Sequence, residues 1–381
     1  MKKLAMLAMI MFLFNSAFFA VDVVAETLEK SDAIEPISVS YEPPKTESIA
    51  LSGDEERVIT KSGTYVFSGE YTGNAICVEV DDSDDGIVYL LLNEVNITSE
   101  NAVPISVNRA EKVIVVLSGK NSIRQTVNSD EKKKIPKGAI YSQENMVFLG
   151  DGSLNIETNY ENGINCKGDL VIDGGTFAIN AVKNGIVGSG YLQISGANIT
   201  MDVGNDALKT TKKDAELLIV SGEFVIEAKG EALHAEKILQ IDGGVFDIYA
   251  EKNAIQAKNT VLINGGTINI TDCEEGVEGR YVIINGGNIN IDSRDDSLNV
   301  GEVEGGIEIH GGEIVINFGL GGDGIDSNGY YTQTGGNIKV LTADTKNLKD
   351  GAFDADGKVT ITGGTLLYAN GEPVKAFEKK N

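Results

Sequence analysis

Apolar and polar residues alternate in short runs along most of this chain, and glycine punctuates the runs. One phrase recurs: two or three alternating apolar residues, a glycine turn, then a second alternating run. It reads LVIDGGTFAI at 170–179, LQIDGGVFDI at 239–248, VLINGGTINI at 261–270 and VIINGGNINI at 282–291. It returns as GIEIHGGEIVI at 306–316, YTQTGGNIKV at 331–340 and KVTITGGTLLY at 358–368, with looser versions at 146–156, 192–201 and 217–226. Counted on the second turn glycine, from Gly175 to Gly364, the repeat is about 21 to 28 residues. Period-two alternation predicts half-buried strands, and a fixed period of this size predicts a solenoid.

A second phrase falls between each pair of turns: NGI at Asn162 and Asn184, DAL at Asp206, EAL at Glu231, NAI at Asn253, EGV at Glu275, DSL at Asp296 and DGI at Asp323. Each repeat therefore supplies three short strands joined by Gly, Asn and Asp turns. One such coil cannot bury its apolar face, whereas stacked coils share a core of Ile, Val, Leu and Phe. A β-propeller blade would need about 40 residues and four strands. The fold class expected is all-β, a right-handed single-stranded parallel β-helix of about a dozen coils, a pectate-lyase-like solenoid. Residues 51–381 are assigned to it, and the proline-bearing residues 26–50 read as a linker.

The first 25 residues break the pattern. Lys2 and Lys3 precede an apolar run over residues 4–20, and Val23-Val24-Ala25 suits signal peptidase, so a secretory signal cleaved near Ala25 is expected. That places the mature protein outside the cell and off the membrane. The formal charge is −25, from 57 acidic and 32 basic residues, which repels nucleic acid. The three cysteines, Cys77, Cys166 and Cys273, lack metal-ligand spacing, and the alternation around Cys77 and Cys166 suggests packed thiols. With two histidines in the chain, histidine-based zinc chemistry has little to draw on.

Stacking converts sequence position into columns, with equivalent residues about 4.8 Å apart. The second phrase aligns Asn162, Asn184, Asp206, Glu231, Asn253, Glu275, Asp296 and Asp323, and a parallel column runs Glu278, Asn299, Asp326, Asp354. The early asparagines suggest a ladder in which each amide bonds to the next. The later carboxylates repel, by roughly 1 kcal/mol per pair in water and about 3 at a half-buried site. Calcium, a hard cation wanting six to eight oxygens, resolves that conflict. The expected metal ligands are Asp206, Glu275, Glu278, Asp295, Asp296, Asp323, Asp326, Asp350 and Asp354. The Asp81, Asp82, Asp84, Asp85 run lacks a stacked partner and reads as a solvated loop.

The motifs EEGVEG at 274–279, RDDSLN at 294–299, GGDGIDSNG at 321–329 and DGAFDADGKVTITGG at 350–364 carry a family resemblance. With GTYVFSGEY at 63–71 and GNDALKTTKKDAE at 204–216, they resemble secreted bacterial carbohydrate-binding parallel β-helix proteins, the clostridial cellulose- and pectin-binding, polysaccharide-lyase-like type. Ala207-Leu208 and Ser297-Leu298 depart from the Gly-Ile usual there. The resemblance implies calcium binding and attachment to cell-wall polysaccharide, including acidic pectic polymer, without an established catalytic step.

Two functions from different classes follow. In the first, the chain binds acidic polysaccharide such as polygalacturonate, or cellulose, with calcium bridging protein and uronate carboxylates. Tyr191, Tyr281 and Tyr330, at equivalent strand starts, are candidates for stacking on sugars or for packing between coils, and Arg280 and Arg294 flank the acids. The absence of tryptophan leaves poor material for a crystalline-cellulose platform. In the second, the chain is a calcium-dependent lyase with Arg280, Arg294 or Lys209, Lys212 and Lys213 near the acids as bases. A structural or adhesive surface protein is a further alternative.

Overall fold

The alternation resolves into short strands, and every strand pairing among the described residues is parallel, each strand bonded to its counterpart one coil away. The computed structural model describes residues 33–38, 46–51, 56–73, 76–131, 135–341 and 351–374. The secretory signal, Asp350 and the rest of the stretch read as a linker lie outside these residues.

Among the described residues, two sheets build the β-helix. One has thirteen very short strands, among them Ile164–Cys166, Leu233–Ala235, Val277–Glu278, Leu298–Val300 and Ile325–Ser327. The other has twenty-five strands and forms two flanks on either side of the glycine turn. The long strands Gly63–Thr72 and Ile87–Glu100 run through both flanks, which joins them into one sheet. Each later coil thus carries three strands, as the repeat implies. Strand structure begins before residue 51, because Thr46–Leu51 pairs in register with Gly63–Thr72.

The turn glycines explain why most coils carry Gly at the second turn position, Ala197 being an exception opposite Gly222. Gly244, Gly266, Gly287 and Gly312 have φ between 95° and 109°, a region that L-residues rarely adopt. Inside the helix, inward-facing Leu, Ile, Val and Phe of successive coils form one continuous buried cluster. Phe224 and Phe246 occupy one register position on adjacent coils and stack with ring centroids 4.6 Å apart and planes 6° from parallel. All three cysteines are free thiols. Burial pushes Cys166 and Cys273 up to about 12, so both behave as core atoms and not as nucleophiles.

Candidate functional site

The thirteen-stranded sheet ends each coil with the acidic columns, and its register is one-to-one. Gln256 stands beside Glu278, Glu278 beside Asn299, Asn299 beside Asp326 and Asp326 beside Asp354. The neighbouring column, at the turn preceding each strand, works by a rule the sequence does not announce. At four of its positions the side-chain oxygen accepts the backbone N–H of the equivalent residue on the next coil. Asn162 Oδ1 accepts from Asn184 N at 3.3 Å, Asn184 Oδ1 from Asp206 N at 3.2 Å, Asp206 Oδ1 from Glu231 N at 3.1 Å, and Asp296 Oδ1 from Asp323 N at 2.7 Å. The amide-to-amide ladder expected along these asparagines is therefore replaced by side chain-to-main chain caps. Only an acceptor is required, which is why Asp substitutes for Asn down the column.

Asp296, Asp323 and Asp326 come together. Each offers a carboxylate oxygen, and the three oxygens lie within 4.8 Å of one another across two adjacent coils. Asp323 is buried and the other two are partly so. Asp354 continues the column one coil on and is buried beside Asp326. Asp295 is exposed and stays outside the group of three.

Glu275 and Glu278 form a second acidic pair one coil earlier. Asn253 Nδ2 donates to both, at 3.2 Å to Glu275 and 2.5 Å to Glu278, and Gln256 Nε2 also donates to Glu278. These two amides, absent from the ligand set inferred above, occupy the same columns and bind carboxylates from the coil below. Burial, then the charges of Glu278, Asp296 and Asp295, push Glu275 from 4.5 up to about 7. An acid whose folded pKa is raised stabilises the fold below its unfolded pKa and loses that contribution as pH rises to the folded value. In chelator, Glu275→Gln should therefore gain stability relative to the parent chain between pH 5 and pH 8. Paired thermal melts across that window check this; a difference independent of pH contradicts it.

Asp206 departs from the expected ligand set. Lys209 Nζ lies 2.5 Å from its Oδ2, while Oδ1 caps the next coil, so its charge is already neutralised inside the protein. Farther along, His234 of the parallel column sits 3.2 Å from Glu231 and 3.0 Å from Gln256, and it holds Glu231 down to about 2. The Asp81–Asp85 acids hold their own turn and also find partners outside it, with Asp82 pairing with Arg109 at 3.3 Å where the sequence suggested none. Asp81 accepts from Ser83 N–H and Oγ, and Asp84 from the N–H groups of Ser62 and Gly86.

The tyrosines and arginines proposed for carbohydrate are placed as follows. Tyr191, Tyr281 and Tyr330 do share one register column. Tyr191 is covered by Ile34 and packs with Leu218 and Ile238, so it presents no open ring face. Tyr281 is buried, its hydroxyl donating to Glu304 O at 3.1 Å. The Tyr330 ring lies over Gly306, where a Cβ would come within 2.5 Å of it, and its hydroxyl donates to Glu308 at 2.6 Å. Packing between coils is thus what these rings do here. Arg280 pairs with Glu304 at 2.6 Å and lies over the Tyr281 ring. Arg294 donates to the carbonyls of Cys273 and Glu251, at 3.0 and 2.5 Å, and pairs with Asp272 at 3.3 Å, stapling three coils.

A family model described as "Carbohydrate-binding domain-containing protein" matches residues 53–253 and 250–376. A curated relative of that description from Acetivibrio thermocellus is 34% identical over 137 residues, which is 34% of this chain and 47% of the relative. This chain thus spans about half the length of that relative. A solved structure titled as the polysaccharide lyase-like protein from C. thermocellum, a gadolinium derivative, aligns with 82% of this chain and 90% of its own, at 23% identity and a TM-score of 0.40.

Proposed function

Since this chain belongs to the family of carbohydrate-binding domain-containing proteins, we propose that it is an exported polysaccharide-binding β-helix whose acidic edge holds calcium and, with it, acidic polymer. The observation that carries this reading is the convergence of Asp296, Asp323 and Asp326. Calcium–oxygen bonds are about 2.3–2.6 Å, so one ion reaches two oxygens that lie up to roughly 4.8 Å apart. The donor set is all carboxylate, which suits a hard cation and not zinc or copper. Asp296, Asp323 and Asp326 would hold the ion, with Asp354 and the Glu275–Glu278 pair adjacent. Bound calcium supplies positive charge that the column lacks and accepts further oxygens from a uronate chain.

Binding is favoured over elimination by what surrounds the basic side chains. Arg280 and Arg294 are each held by carboxylates or carbonyls, and Lys209 by Asp206, so none of these three is poised as a base, while Lys212 and Lys213 are exposed to solvent. Native gel electrophoresis through polygalacturonate and through a neutral glucan tests the proposal. Retardation by polygalacturonate with calcium, abolished by chelator, is expected. Equal mobility in all gels contradicts the proposal, and a rise in ultraviolet absorbance from unsaturated product replaces binding with the lyase reading.

A further inference from the structure

The outward face of the flank that precedes the glycine turn is not dressed as a solvated surface. Its central column runs Ile114, Val147, Val171, Gln193, Leu218, Gln240, Leu262 and Ile283, and every member is buried. Residues 33–38 lie across part of it. Ile34 packs with Tyr191, Leu218 and Ile238, and Ile37 packs with that group and with the group of Ile114, Val147, Leu149 and Val171.

The two glutamines read the backbone of this segment. Gln240 accepts Ile34 N–H at 2.5 Å and donates to Ile34 O at 3.1 Å. Gln193 accepts Ile37 N–H at 2.7 Å and donates to Ile37 O at 2.8 Å. Each amide thus spends a donor and an acceptor on one residue, while itself only 2% exposed. Gln193 is further oriented by the Tyr191 hydroxyl at 3.0 Å and Gln240 by Asp242 at 2.9 Å.

The spacing accounts for the register. Gln193 and Gln240 stand two coils apart, about 9.5 Å at strand spacing. Three residues of polyproline-II chain advance about 9 Å, and Pro36 lies between the two clamped isoleucines. A chain with aliphatic residues at i and i+3 therefore meets one clamp with each, and its side chains fall on the apolar column.

We propose that this face is a peptide-recognition groove, separate from the acidic edge, with residues 33–38 as its resident ligand in cis. The groove selects an extended segment bearing aliphatic residues three apart around a proline, and it takes that segment from solution once the resident one is displaced. In the parent chain the tether gives the resident segment an effective concentration of millimolar order, so free peptide competes poorly.

The experiment uses the full chain carrying Ile34→Asp and Ile37→Asp, which leaves the β-helix core untouched, and a synthetic peptide of residues 33–38 titrated by NMR. At least tenfold tighter binding to this variant than to the parent is expected. Adding Gln193→Ala and Gln240→Ala to the variant should weaken it tenfold or more, with circular dichroism confirming the folded helix throughout. In the otherwise unaltered chain, the same two glutamine changes should speed hydrogen exchange of the Ile34 and Ile37 amides at least tenfold. No peptide binding to the folded double-aspartate variant, or binding indifferent to the glutamines, overturns the proposal. A parent dimer that the aspartate changes dissolve overturns the cis assignment.

Discussion

Asp326→Asn should make the chelated protein more stable and the calcium-treated protein less stable than the parent chain. In chelator the substitution removes one member of a group of like charges within 4.8 Å, worth about 1–3 kcal/mol depending on local screening. With calcium at about 1,000 times its dissociation constant, linkage stabilises the parent by roughly 4.1 kcal/mol, more than the relieved repulsion, and for a chain of this size raises Tm by about 5 °C. The variant forgoes that rise. Thermal melts in calcium and in chelator check the crossing of the two curves. A variant that is less stable by the same amount in both media assigns Asp326 a packing role and removes the ion from the account.

Phe246→Ala should cost about 3–5 kcal/mol, the range for truncating a buried aromatic ring. Phe246 is buried on all sides and stacks on Phe224 of the adjacent coil. In a solenoid, stability is a sum over coils and the interfaces between neighbours, so the loss falls on the interface these rings share. Phe224→Ala with Phe246→Ala should then cost less than the two single changes added, by about 0.5–1.5 kcal/mol, because each single change already breaks the stack. Denaturant melts of the four chains give this difference directly. Strict additivity would mean the rings are held by their own coils and not by one another.

Much of this is visible in the sequence because the parallel β-helix stacks most repeats in one-to-one register, with shifts only at a few places such as Ile248–Tyr249. The column Glu278, Asn299, Asp326, Asp354 can be read from aligned motifs, since each strand pairs in register with the next. The meeting of Asp296, Asp323 and Asp326 follows from the same register. Other features depend on contacts that alignment of coils does not reveal. The column mixes Asn and Asp because Asn162, Asn184, Asp206 and Asp296 each accept a backbone N–H one coil away, a role that asks only for an oxygen. Asp206 keeps the column's identity yet is matched by Lys209, three residues on.

Tyr191 aligns with Tyr281 and Tyr330, but what covers it, Ile34, is distant in sequence. Gln193 and Gln240 bond to residues 156 and 206 positions away, which no local pattern encodes. A signal for that covering exists nonetheless. First strands such as LVI at 170–172 and VLI at 261–263 are apolar on both faces, where a strand with one solvated face would alternate. A sheet buried on both sides needs something packed against its outer surface.

The most direct test of the acidic edge as a calcium site is calorimetric titration of calcium into the parent chain and into Asp323→Asn, each freed of metal beforehand. A binding event is expected in the parent that disappears in Asp323→Asn while the circular dichroism of the two proteins remains the same. Identical titrations for both proteins would contradict it, leaving Asp296, Asp323 and Asp326 as turn residues and the polymer without its bridge.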